Sequence, residues 1–133
     1  MYMDLALLHA PAGDANGNLV HHGSRWVDHL LARSARRVVA QVDRLVSTEE
    51  AVAMGVTVPV CLVDEVIEVP FGAYPTRSVG AYVADLDHLA SYRSHVVDGR
   101  FEDYAATWIS AAPEAYVDLV GRDRLDSLTT EAK

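Results

Sequence analysis

The sequence has little of what marks a secreted, membrane-spanning or nucleic-acid-binding chain. Its 133 residues include one cysteine, Cys61, which excludes an internal disulfide framework and fits a reducing compartment. Cys61 sits in the apolar run VPVCLV with no histidine within several residues, so it reads as a small buried side chain and not as a nucleophile. No apolar run approaches the roughly 20 residues needed to cross a bilayer, and no membrane association is expected. The first residues, MYMDLALLHAPAG, carry an acid and no basic segment, a poor signal peptide, so the cytoplasm is the expected compartment. Positive charge is scarce: 11 Lys and Arg stand against 19 Asp and Glu, for a net charge of -8. With only Arg36-Arg37 as a basic pair, no nucleic-acid partner is expected, because phosphate binding relies on clustered cations. Metal spacing is missing as well. His21 and His22 are adjacent and keep no H-x-x-x-H or H-E-x-x-H relation with the other histidines, which predicts a solvated turn and no metal site. Neither G-x-G-x-x-G nor G-K-[ST] occurs, and there is no internal repeat or linker.

What is present is the composition of one globular domain, half hydrophobic and 23% charged. Its organising stretch is Val63 to Ser78, VDEVIEVPFGAYPTRS. Val63, Val66, Ile67 and Val69 supply β-branched strand content, and Pro70, Gly72 and Pro75 then forbid regular structure. An apolar strand that opens into a stiff loop is where α/β proteins place their sites.

Upstream, Leu5-Ala6-Leu7-Leu8 reads as a fully buried strand. In Gly13-Asp14-Ala15-Asn16-Gly17-Asn18 the Asn16-Gly17 pair predicts a tight type I′ turn and a short ribbon to Leu19-Val20. Asp14, Gly17 and Asn18 fit either a structural turn or a ligand contact. Ser24 is the expected cap of a helix whose Val27, Leu30, Leu31 and Ala35 form an apolar stripe. Arg37 to Val46 returns to strand, and Ser47-Thr48-Glu49-Glu50 is a capping box ahead of a short helix stopped at Gly55. Its position at a helix N-terminus accounts for Glu49 and Glu50 without chemistry. Val56 to Leu62 is a second β-rich stretch, broken by Pro59, and Glu68 is a strand carboxylate just ahead of the loop. Downstream, Asp85 caps a helix that ends at Asp98-Gly99, and Phe101, Tyr104, Ala105, Trp108 and Ile109 fall at helical spacing. Pro113 opens a further helix to Gly121. Residues 122–133 read as a polar tail that frays.

Four stretches in this order, ALLHAPAGDANGN, WVDHLLARSARRVVAQVDRLVSTEE, VDEVIEVPFGAYPTRS and the helical Asp85-to-Gly121 end, resemble the C-terminal half of the alpha (A) subunit of family I CoA-transferases, of the glutaconate CoA-transferase type. The resemblance implies an α/β fold with an open, mainly parallel sheet, forming part of a domain over residues 1–121, with a helical C-terminal end. It implies two partners, the missing N-terminal half of the chain's own subunit and a CoA-transferase-like beta subunit. Such enzymes move CoA between carboxylic acids through a glutamyl-CoA thioester, so the acyl-CoA is a substrate and no permanently bound cofactor is expected. The family's S-E-N-G glutamate belongs to the beta subunit. Neither that motif nor the Gly-rich signature of the alpha partner is here, so no catalytic residue is assigned. Phe71 is expected as an apolar wall of the shared cleft, Gly72 and Ala73 as a close backbone approach, and Thr76 and Ser78 as donors to an acyl-CoA. Against this stands a loop that only packs the subunit interface. Relatives of the same build act as CoA-ester hydrolases or in ring opening, including steroid breakdown in actinobacteria. A non-enzymatic interaction remnant is the third reading.

Overall fold

A computed structural model describes residues 3–24, 27–110 and 115–129. β1 (Met3–Ala10) alternates: Ala6, Leu8 and Ala10 are buried, whereas Leu5 and Leu7 are 50% and 72% exposed. The expectation of a strand buried on both faces is therefore corrected. β1 is an edge strand and only one of its faces is covered.

β2 (Ala12–Asp14) and β3 (Leu19–Val20) form the expected antiparallel ribbon. The turn is one residue longer than type I′: Gly17 donates to the Asp14 carbonyl at 3.1 Å, and Gly17, not Asn16, takes the positive φ of +113°. α1 (Asp28–Ser34) is preceded by Val27 and not capped by Ser24. Only half of its expected stripe packs, with Leu31 and Ala35 against the core beside the buried Ala32 while Val27 and Leu30 stay exposed. β4 (Ala35–Val42) lies between β1 and the later β6, and β5 (Leu45–Val46) pairs with β2. α2 (Thr48–Met54) starts as the capping box predicts, with Ser47 accepting from the Glu50 amide at 3.1 Å and Gly55 closing it at φ +94°.

The stretch from Val56 to Leu62 is not a strand. After Val58 bridges to Leu19, Pro59 turns the chain into a single 3-10 turn, Val60–Leu62. That turn directs Cys61 outward, so the expectation of a buried thiol is corrected to an exposed one. β6 (Glu65–Glu68) completes a parallel sheet of order β1-β4-β6. α3 (Leu86–Val97) is capped by Asp85, whose side chain accepts from the His88 amide. α4 (Phe101–Tyr104) runs into a π-helical turn, Ala105–Ile109. α5 (Ala115–Val120) follows, while Pro113 lies outside the described residues. α6 (Arg122–Leu128) occupies the segment expected to fray, because Leu125 and Leu128 are buried and bring it onto the domain. The main core joins Leu8, Leu19, Val38, Val42, Val58 and Val63 beneath the sheet. Among the described residues no helix is long and apolar enough to cross a membrane.

Candidate active-site cleft

The three parallel strands end together, and their following segments meet. Pro11 comes after β1, Asp43 and Arg44 after β4, and Pro70 and Phe71 after β6. With Tyr82 they line an open cleft of about 700 Å³, at the carboxyl ends of the strands, where open α/β sheets hold their ligands.

Asp43 is the hub. Its side chain is 7% exposed, and its Oδ1 accepts from the Gly72 amide at 3.1 Å and from the Tyr82 hydroxyl at 3.3 Å. Oδ2 has no hydrogen-bond partner besides the His9 ring, whose Nε2 lies 3.2 Å away. Gln41 sets the ring's tautomer: its amide Nε2 lies 3.3 Å from His9 Nδ1 and makes that nitrogen the acceptor. The proton then sits on Nε2, between Asp43 and the Ser78 Oγ at 3.2 Å. Burial, reinforced by the Asp43 carboxylate, pushes the Tyr82 phenol up, so it remains a neutral donor. Tyr82 also accepts from the Ala73 amide at 2.8 Å and packs its ring on Phe71 at 5.0 Å.

These bonds hold Phe71 in an uncommon place. Among the described residues it is the non-glycine residue with positive φ, +58°, and its carbonyl accepts from the Tyr74 amide at 2.9 Å and the Tyr116 hydroxyl at 3.2 Å. A strained backbone fixed by contacts from several elements is a preorganised one.

No family model matches the chain. It is 25% identical over 132 residues to the A subunit of glutaconate CoA-transferase from Acidaminococcus fermentans, covering 95% of this chain and 41% of that protein. The crystal structure of glutaconate coenzyme A-transferase from the same organism matches 96% of this chain and 42% of its own, with a TM-score of 0.87 at 24% identity. Over nearly its whole length the chain is thus similar to a CoA-transferase A subunit and shares the fold of that enzyme. A cholesterol ring-cleaving hydrolase IpdA subunit of Rhodococcus jostii is 31% identical over 123 residues, 86% of this chain and 40% of that one. The structure of the decarboxylase AibA/AibB, solved as a cysteine-to-serine variant, matches 80% of this chain and 39% of its own at 37% identity and a TM-score of 0.70. The chain spans 21% to 41% of the length of the first curated relatives it matches.

Within this CoA-transferase-like fold the loop residues singled out from the sequence fall in different places. Phe71 lines the cleft. Gly72 and Ala73 stand behind it, with their amides engaged by Asp43 and Tyr82. A Cβ on Gly72 would lie 1.8 Å from Gln41 Nε2, so the close backbone approach at this glycine is to strand β4. Thr76 and Ser78 are not among the cleft's lining residues. Thr76 is exposed and its hydroxyl donates to the Ala73 carbonyl, whereas Ser78 is 3% exposed and bonds His9. Asp14, Gly17 and Asn18 form the ribbon turn elsewhere. Asp14 accepts from the amides of Asn16, Gly17 and Asn18 at 2.9 to 3.0 Å and from the Asn18 side chain at 2.7 Å, and the Asn18 side-chain carbonyl accepts from the Val60 amide.

His9, Gln41, Asp43 and Tyr82 were not singled out from the sequence. The signals that could have found His9 and Asp43 are the histidine that closes the apolar run of β1 and the acid that directly follows β4. Tyr82 carried no signal. Also contrary to expectation, His21 is largely enclosed: its ring reaches the Thr57 hydroxyl at 2.6 Å and the His9 carbonyl at 3.1 Å. Glu50 is paired with Arg44 at 2.9 Å, and Glu68 accepts from the Leu45 amide. Among the described residues no group of His, Cys, Asp or Glu is arranged to hold a metal. The cleft can bind and orient a ligand; of its two carboxylates Asp43 is buried, and the exposed one, Glu50, is paired with Arg44.

Proposed function

We propose that this chain supplies one wall of an acyl-CoA site that is completed by the rest of the alpha-type chain together with a CoA-transferase-like beta subunit. The observation that carries this reading is the cleft at the shared carboxyl ends of β1, β4 and β6, in a chain with this fold. Phe71 is the apolar surface offered to the thioester, and Gly72 and Ala73 set its height through Asp43 and Tyr82. Thr76 and Ser78 stiffen the loop instead of donating to the ligand, because both hydroxyls already have partners. The reacting carboxylate is supplied by the partner, in keeping with a cleft whose own carboxylates are buried (Asp43) or paired with Arg44 (Glu50).

Two reactions fit this wall. Transfer of CoA between carboxylic acids is supported by the likeness to the glutaconate CoA-transferase A subunit along 95% of this chain. Hydrolysis or carbon-carbon cleavage of a CoA ester is favoured by the higher identities, 37% to the decarboxylase and 31% to the ring-cleaving hydrolase, against 25% to the transferase. The test is reconstitution with the remaining alpha segment plus the beta-type subunit. The complex turns over an acyl-CoA, the chain alone does not, and Phe71→Asp weakens acyl-CoA binding by at least about tenfold, since the new carboxylate is desolvated without a partner. Turnover by the chain alone, or unchanged binding by the variant, overturns the proposal. A new acyl-CoA among the products assigns transfer, and a free acid without an acceptor-bound CoA assigns hydrolysis.

A further inference from the structure

Behind the Phe71 loop lies a second cavity, open on one side like the cleft, of about 220 Å³, lined chiefly by Tyr74, His88, Tyr104, Trp108, Ile109 and Tyr116. It shares no lining residue with the cleft at the strand ends. Three features set it apart from ordinary aromatic packing.

The first is that the polar atoms of its tyrosines and histidine are already engaged, in one direction. Tyr74 has a single hydroxyl proton, which goes to Asp85 Oδ2 at 3.0 Å. The contact of 2.9 Å between Tyr74 and His88 Nδ1 is therefore a bond donated by the ring, and His88 Nε2 accepts from Tyr104 at 2.8 Å. Tyr116 donates to the Phe71 carbonyl. With their hydroxyl protons committed, these residues have ring surface and hydroxyl lone pairs left to offer a ligand, and no hydroxyl donor.

The second feature is neutrality. Asp85 is met by Arg124 at 2.9 and 2.6 Å, which balances its charge on the side away from the cavity-lining rings. Burial holds His88 below its ordinary value, and burial first among several causes raises Tyr74, Tyr104 and Tyr116. A charged guest would find no counter-ion among the lining residues and would lose its hydration.

The third is the wall itself. Trp108 and Ile109 belong to the π-helical turn Ala105–Ile109, a rare geometry that is frequent at functional sites. Trp108 meets the His88 ring at a centroid distance of 4.4 Å, and Tyr74 meets Tyr116 edge-on at 5.5 Å. A dry cavity of about 150 Å³ is large enough for benzene, so this one has room for one substituted ring or a branched chain of similar volume.

We propose that this cavity binds a neutral apolar group of single-ring size, presented either by a free small molecule or by the apolar end of an acyl thioester. Occupancy is linked to the cleft through Tyr116 and the Tyr74 amide, both of which donate to the Phe71 carbonyl.

Trp26→Phe leaves Trp108 as the one tryptophan of a chain that has two, and its fluorescence reads the cavity directly. Titrating the full chain with benzyl alcohol should give a saturable change, with benzylammonium and benzoate at least about tenfold weaker. Saturation-transfer NMR on the unmodified chain repeats the comparison without a substitution. An equal response to all three probes, or no saturation with benzyl alcohol, overturns the proposal. Competition then separates the sources. Displacement of benzyl alcohol by octanoyl-CoA but not by CoA supports the site with the acyl chain as its guest, and displacement by neither supports it with a free ligand. Displacement by CoA itself overturns it, because the guest is then the nucleotide end. The benzyl alcohol titration needs neither thioester nor partner subunit, so its result is independent of the acyl-CoA reading above.

Discussion

Gly72→Ala is the sharpest test of how the Phe71 loop is seated. The new methyl would lie 1.8 Å from Gln41 Nε2, 2.7 Å from Gln41 Cδ and 2.9 Å from the Val69 carbonyl. Gln41 can swing away, but doing so breaks its contact with His9 at 3.3 Å, worth about 0.5 to 1.5 kcal/mol. The approach to Val69 is to backbone and cannot be relieved by a rotamer. Overpacking of this kind costs about 1 to 3 kcal/mol, and the stiffer unfolded chain of alanine returns about 0.4 to 1 kcal/mol. The expected net loss is about 0.5 to 4 kcal/mol, centred near 2, or a Tm lower by roughly 6 to 10 °C at that centre for a chain of this size. In a Gln41→Ala background the displaced side chain is absent, so the same Gly72→Ala change should cost about 1 kcal/mol less, a coupling well above the roughly 0.3 to 0.5 kcal/mol expected of independent sites. Urea unfolding of the four proteins in the cycle measures it. Equal costs in both backgrounds would show that Gln41 does not rest on Gly72, and the register assigned to the loop would be wrong.

Two further outcomes follow from buried ionisable groups. Asp14→Ala leaves the amides of Asn16, Gly17 and Asn18 without their acceptor and should cost at least about 2 kcal/mol in urea unfolding. A loss under about 0.5 kcal/mol would mean that water replaces the carboxylate. His88 has a folded pKa below its ordinary value, chiefly through burial and against the opposing charge of Asp85. Between the folded value and the unfolded one of about 6.5 the unfolded chain binds more protons, so stability is full above that range and falls as pH drops through it. His88→Phe should flatten the fall of the unfolding free energy as pH drops below about 7 relative to the parent, and an unchanged slope would assign the titration elsewhere.

Local signals were legible in the sequence because a few adjacent residues carry them. The Ser47 cap, the Asp85 cap and the ribbon at Asn16-Gly17 each depend on contacts within four residues. The strand runs were legible too, but not their exposure: Leu5 and Leu7 look like core until the strand order puts β1 at an edge. Cys61 misled because its neighbours Val60 and Leu62 are apolar, while the 3-10 turn after Pro59 sets its direction. The segment after Gly121 looked like tail because charge surrounds Leu125 and Leu128, whose i, i+3 spacing is the signal that it docks. The hub of the cleft was the least legible part. Tyr82 and Asp43 are 39 residues apart and Ser78 and His9 are 69 apart, and only the parallel order β1-β4-β6 brings their segments to one end of the sheet.

The same distances explain what the C-terminal helices are for. A phenylalanine at φ +58° costs roughly 1 to 2 kcal/mol relative to ordinary backbone, so something must hold it there. Asp43 holds the loop from the sheet side through the Gly72 amide, and Tyr82 holds it through the Ala73 amide and the ring of Phe71. Tyr82 is in turn fixed by α6, since it bridges to Thr129 while the Val83 amide donates to the Leu128 carbonyl. On the far side Tyr116 of α5 bonds the Phe71 carbonyl, and Tyr74 is tied through His88 and Asp85 to α3 and Arg124. The sheet thus positions the floor of the cleft and the helical end positions its wall. Removing α6 should then loosen Phe71 before it unfolds the sheet, because the core beneath β1 and β4 draws nothing from residues beyond Val66.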